Sequence, residues 1–133
     1  MTKLLTIGSL LGALAVGAGA FGAHVLRDAL GPNSLNAFHK AVNYQFYHAI
    51  FLVLVSYLYS QKPHKLLKSA AYCALSGIIC FSGSLYVLST YTLYLRVKPF
   101  YLGPVTPIGG ILFMIAWVLL AIWGLGISKK VET

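Results

Sequence analysis

Carboxylates are nearly missing from this chain. Asp28 and Glu132 are the only two in 133 residues, against ten lysines and arginines. Charged residues of both signs amount to 9% and hydrophobic ones to 59%, with a mean hydropathy of +0.81. A water-soluble domain carries roughly a quarter charged residues, so the shortage of charge argues for a membrane protein. Neither carboxylate falls inside an apolar run, which argues against a carboxylate-driven proton or cation antiporter. Cysteine is also scarce: Cys73 and Cys80 stand seven residues apart, about 10 Å along a helix, too far for a disulfide with each other. No Cys-x-x-Cys or zinc spacing is present, so both thiols read as small apolar side chains. A Ser-His-Asp order, a glycine-rich phosphate loop and a nucleotide motif are missing as well, which leaves the chain without a recognisable catalytic signature. Internal repeats and low-complexity segments are equally missing.

What the chain does have is four uncharged runs, Leu4–Leu26, Ala41–Gln61, Ser69–Leu95 and Pro99–Ser128. A hydrocarbon core of about 30 Å needs about 20 helical residues, so each run is long enough to cross it. The fold class expected is an all-α, four-helix transmembrane bundle. One integral domain over 1–133 is expected, with spans near 4–26, 41–61, 67–89 and 106–127. Such spans use nearly the whole chain, leaving no room for a soluble catalytic or DNA-binding module.

The formal charge of +8 would suggest nucleic acid in a soluble protein. Here the cations sit at the ends of apolar segments, where they act as topology signals, so no nucleic-acid partner is expected. Lys3, the second-loop trio Lys62, Lys65 and Lys68, and the tail pair Lys129 and Lys130 outnumber Arg27, Lys40, Arg96 and Lys98 in the other two loops. The positive-inside rule then places both termini in the cytoplasm of a multi-pass cell-membrane protein. The lysine trio beside His64 is also able to attract anionic headgroups. Lys3, the apolar stretch and Ala18-Gly19-Ala20 have the look of a secretory signal, but the run exceeds the usual 7–15 apolar residues, which favours a span.

Small residues crowd the first span, with Gly8-x-x-x-Gly12 and Ala15-x-x-x-Gly19 as close-approach pairs. After Gly31-Pro32, Asn33 or Ser34 is expected to cap a long second helix reaching about Ser60, whose first turns project beyond the core. The third span, from about Leu67 to Leu88, carries Ser76, Cys80 and Ser84 at i, i+4, i+8, a small polar stripe of the kind used for packing. It ends in tyrosines suited to the membrane interface, and Thr106 is expected to cap the fourth span with Pro107 at its first position.

Four clusters fall at one depth in the outer half: Gly19–His24, Tyr44–His48, Phe81–Tyr86 and Thr106–Gly110. Tyr44, Gln45 and His48 are three and four apart, able to share a helix face, and a histidine in lipid needs partners because an unsatisfied polar group there costs several kcal/mol. His24 precedes Asp28 by one turn, so a His–Asp pair is available. Two readings of His24, Tyr44, Gln45, His48, Ser82, Ser84 and Thr106 follow. One is a ligand site in which His24 and His48 bind a metal, a haem or a quinone headgroup, or relay protons. The other is an interhelical hydrogen-bond network, His48 to a serine or Tyr44 to a backbone carbonyl, that locks the bundle. Two histidines fall short of the three protein ligands typical of catalytic zinc.

The segments Gly19-Ala20-Phe21-Gly22-Ala23-His24, Ala41 to Ala49, Phe81-Ser82-Gly83-Ser84-Leu85-Tyr86 and Thr106-Pro107-Ile108-Gly109-Gly110 resemble the signature blocks of the YgdD/YwdK-type proteins. These are small four-span membrane proteins gathered as domain-of-unknown-function family 423. The resemblance covers nearly the whole chain and implies a multi-pass membrane protein of bacterial inner-membrane type, with no activity to carry over. Val25 departs from the pattern, which would have a small residue such as glycine after the histidine. The function expected is that of a non-enzymatic accessory or assembly protein in the lipid bilayer, within a homo-oligomer or a larger membrane complex. Histidine-based metal, haem or quinone binding is one alternative, and a small oligomeric channel or carrier is the other; the cofactor, if any, is unspecified.

Overall fold

The computed structural model describes residues 1–95 and 97–131, the last five of these by their backbone alone. Arg96 and Glu132, which entered the charge reading, lie outside the described residues, as does Thr133. The fold is all-α. Its helices are α1 (Thr2–His24), α2 (Pro32–Gln61), α3 (Lys65–Gly77), a π-helical segment (Ile78–Gly83), α4 (Ser84–Thr90) and α5 (Val105–Val131). The α3, π and α4 segments run on without a break, and with short 3-10 turns they complete four helices long and apolar enough to cross a membrane. Alternating direction brings the start of α1 and the α2–α3 turn to one end of the bundle, and the α1–α2 and α4–α5 connections to the other.

Two helix starts differ from the capping expected. The second helix begins with Gly31 as N-cap and Pro32 in its first turn, ahead of Asn33 and Ser34. Proline fits there because its missing N–H would be unpaired anyway and its φ is already helical. The fourth helix begins at Val105, so Thr106 lies inside its first turn and its hydroxyl is directed to another helix.

Packing follows chain order: α1 lies on α2, α2 on the α3–α4 helix, and α3 on α5. Helix α1 meets α2 through one face of small residues. A Cβ added at Gly8 would sit 2.9 Å from Leu52 Cβ, at Gly22 2.8 Å from the Phe38 ring, and at Gly19 3.4 Å from Val42. Gly8, Gly12, Ala15, Gly19 and Gly22 are spaced by four and three in turn, so both small-residue pairs of the sequence belong to a single seam. In lipid, where apolar burial does not drive helix association, such a seam substitutes close van der Waals contact.

The α3–α5 contact is built differently. A Cβ at Gly109 would collide with the backbone nitrogen of Phe81, and one at Gly77 would meet the Phe113 ring at 2.5 Å. Phe81 lies in the π segment, where i→i+5 bonding adds a residue to the turn and swings the following side chains round the axis. The expected Ser76–Cys80–Ser84 stripe is therefore not one face: Ser76 is exposed, Cys80 half-buried and Ser84 buried. Val25 projects outward and is 56% exposed, so bulk after His24 is accommodated at no packing cost.

Candidate functional site

Two apolar clusters divide the bundle. Leu26, Leu30, Phe38 and Val42 form the smaller one near the α1–α2 connection. Leu4, Phe51, Leu52, Val55, Leu67 and their neighbours from α3 and α5 form the larger. Along α2 the residues between them include Gln45 and His48, both buried, and Ser82 and Ser84 are buried on the neighbouring helix.

Gln45 and His48 of α2 reach different helices, while the buried Ser56 hydroxyl further along has no hydrogen-bond partner. Gln45 Nε2 donates to the Leu11 carbonyl of α1 at 2.8 Å, while its Oε1 accepts from the Tyr86 hydroxyl of α4 at 2.9 Å. One side chain thus ties three helices together. His48 turns the other way. Its Nε2 accepts from the Trp117 indole at 3.3 Å, and an indole can only donate. The neutral ring must then carry its proton on Nδ1, which donates to the Tyr44 carbonyl at 2.8 Å. Phe113 stacks flat on the imidazole, with centroids 3.5 Å apart and planes at 12°. A third link joins Ser84 and Thr106 hydroxyls at 2.6 Å across α4 and α5, with Ser84 also 3.0 Å from the Phe81 carbonyl.

Tyr44, Gln45 and His48 therefore do not share one face. Tyr44 lies beside His48, its ring 4.6 Å from that of Phe81, and is part-exposed, while Gln45 faces α1 and α4. Neither serine meets His48. Ser84 pairs with Thr106, and the Ser82 hydroxyl is buried without a hydrogen-bond partner. His24 is exposed at the end of α1, and among the described residues no ion pair joins it to Asp28. No group of three histidine, cysteine, aspartate or glutamate side chains comes together among the described residues.

The partners missed by sequence reasoning are Trp117, Phe113 and the Leu11 carbonyl; Tyr86 falls in the Phe81–Tyr86 cluster, which the sequence places at the depth of Gln45. A signal for the first two was present. Thr106, Gly109, Phe113 and Trp117 recur at three and four along α5, one face running from the Ser84 link to the His48 link. A backbone acceptor on α1 has no sequence signal. Grooves flank the links on both sides of α2: one of about 540 Å³ touches Gln45 and Tyr86, and one of about 800 Å³ is walled by Tyr44, His48, Phe81, Phe113 and Trp117.

Four apolar helices joined by buried side-chain hydrogen bonds, with few charges anywhere, define a multi-pass α-helical membrane protein. A family model described as "Protein of unknown function (DUF423)" matches residues 18–110, and the chain belongs to that family. It is similar to the UPF0382 membrane protein YwdK of Bacillus subtilis, at 36% identity over 124 residues that cover 92% of this chain and 95% of the relative. A UPF0382 membrane protein of Staphylococcus aureus strain bovine RF122 is 38% identical over 122 residues, covering 92% and 94%. One from Staphylococcus epidermidis strain ATCC 12228 shows the same identity and coverage. No solved structure matches the chain.

Proposed function

We propose that this is a non-enzymatic integral membrane protein, an accessory or assembly subunit of the cell membrane, whose buried polar side chains hold its helices in register. The observation that carries this reading is the complete engagement of His48. With Nδ1 on the Tyr44 carbonyl and Nε2 on the Trp117 indole, the imidazole has no lone pair free for a metal or haem iron. The Gln45 and Ser84–Thr106 links act in the same sense, each joining different helices. The lysine distribution supports an orientation with both termini cytoplasmic.

A second reading draws on the groove of about 800 Å³ beside His48. Its aromatic walls suit a flat apolar ring such as a quinone, with His48 or Trp117 exchanging one hydrogen bond for a ligand oxygen.

The test is a double-mutant cycle of His48→Gln and Trp117→Phe, read by denaturant unfolding in detergent, alongside an optical spectrum, elemental analysis and lipid extraction. The locking reading expects each variant to fold, a coupling of about 0.6 to 1.7 kcal/mol, and a wild type free of stoichiometric cofactor. A metal, haem or quinone held by the wild type and lost in His48→Gln would overturn it.

A further inference from the structure

Gln45, His48, Ser84 and Thr106 are all occupied within the bundle, but among the described residues the Tyr44 hydroxyl has no hydrogen-bond partner. Tyr44 is 41% exposed and belongs to the uncharged run from Ala41 to Gln61, where lipid supplies no partner either. An unsatisfied hydroxyl in that setting is costly, and the fold does nothing to relieve it.

Tyr44 lines the groove of about 800 Å³ beside His48. In its wall the rings of Tyr44, His48 and Phe113 are close to parallel, at 12°, 14° and 24° pair by pair, and the Tyr44 ring lies 4.6 Å from that of Phe81. Rings set in one orientation suit a flat ring stacked on them with an offset. The other polar groups of the wall are spent, since both His48 nitrogens and the Trp117 indole are already bonded. Among the described residues no charged side chain lines the groove, so no ion pair is available to a phosphate or an ammonium group. Gly110 keeps the space open: a Cβ there would meet nothing nearer than the Phe81 ring at 3.8 Å. Ile111, Met114 and Val118 also line the groove and are more than half exposed, which carries it out onto the lipid-facing side of α5.

We propose that Tyr44 is the recognition donor of a site for a lipid-soluble quinone: the ring stacks in the aromatic wall, one carbonyl oxygen accepts from the Tyr44 hydroxyl, and the apolar tail runs out along Ile111, Met114 and Val118. An uncharged flat ring with an oxygen acceptor and a greasy tail is what one spare donor, ring faces and an uncharged lining select. The proposal rests on the reading of this groove as a place for a flat apolar ring, and it moves the recognition from His48 and Trp117 to Tyr44. The donor is one the fold does not use, so the His48–Trp117 link stays closed when the ligand is bound.

The test uses the full chain in detergent, titrated with decyl-para-benzoquinone and with decylbenzene, which has the same tail and no oxygen. Binding is read by quenching of tryptophan fluorescence, because Trp117 walls the groove, and by the shift in thermal unfolding. The quinone is expected to quench saturably and to raise the unfolding temperature, with decylbenzene about tenfold weaker as a competitor. Tyr44→Phe is expected to weaken quinone binding about tenfold. Without ligand it should unfold at the wild-type temperature or above, because the lost hydroxyl bonds nothing in the protein. Gly110→Leu puts a side chain into the groove and is expected to abolish the saturable quenching. Equal quinone binding by wild type and Tyr44→Phe would overturn the assignment to Tyr44, and a loss in His48→Gln would then show that the reading of the groove still stands. Failure of the quinone to bind the wild type, whether lipid or a second copy of the chain fills the groove, would overturn both. So would equal binding of decylbenzene, or saturable quenching that survives in Gly110→Leu.

Discussion

The α1–α2 and α3–α5 interfaces face the same physical problem and solve it in different ways. In both, antiparallel helices must associate where lipid removes the hydrophobic incentive. Along α1–α2 the solution is spread out: five small residues over the length of the seam, with Gly8 and Gly22 each pressed against a side chain of α2. Along α3–α5 it is concentrated, with Gly109 accepting the backbone of Phe81 at the π segment and Gly77 accepting the ring of Phe113. A spread seam shares strain among many weak contacts. A concentrated one places the helix where a backbone irregularity has been set, and here that place lies beside the Ser84–Thr106 and His48–Trp117 links.

Because the α3–α5 contact is concentrated, the largest loss is expected from Gly109→Ala. Its new methyl meets main chain, which cannot swing aside, so a destabilisation of about 3 kcal/mol or more is expected in denaturant unfolding. Gly8→Ala tests the spread seam, with its methyl 2.9 Å from Leu52 Cβ and 3.1 Å from the Ala49 carbonyl. The helices can separate slightly over their whole length, so about 1–2 kcal/mol is expected by the same measurement. A cost for Gly8→Ala equal to that for Gly109→Ala would erase the distinction between the two interfaces.

Smaller again is Gln45→Leu, which removes the link from α2 to both α1 and α4 and leaves the Tyr86 hydroxyl without its acceptor. About 1 kcal/mol is expected, and adding Tyr86→Phe should recover part of it, since the stranded hydroxyl is then gone. At the bottom of the scale stands Gly17→Ala. No atom lies within 4 Å of a Cβ there, so the gain in helix propensity should stabilise by a few tenths of a kcal/mol up to about 1. A loss at Gly17 would indicate that another surface covers this side of α1, as in a homo-oligomer.

Legibility in the sequence varied with the kind of feature. The first-span glycines were readable because their spacing repeats along one helix, and spacing is a property of the chain alone. The π segment was not. Ile78–Gly83 has the composition of an ordinary apolar helix, and the backbone of Phe81 within it lies against Gly109 of α5, far along the chain. Tyr44, Gln45 and His48 are readable as polar positions in lipid, but their spacing of three and four suggests a single face that the structure does not have. On a helix of 3.6 residues per turn, Gln45 stands about 100° from Tyr44 and about 60° from His48, enough to send Gln45 to α1 and α4 while His48 meets α5.

The sequence by itself determined that this is a helical membrane protein with four spans, because charge and apolar length are read by the bilayer directly, segment by segment. It also determined which polar residues had to find partners, since lipid supplies none. Only the tertiary structure decided who those partners are: Trp117 for His48, Tyr86 and a backbone carbonyl of α1 for Gln45, and Thr106 for Ser84. Partner choice depends on the rotation and vertical register of one helix against another. Those are set jointly by the small residues of two chain segments and by the π segment between them, so they exist only once the helices have packed.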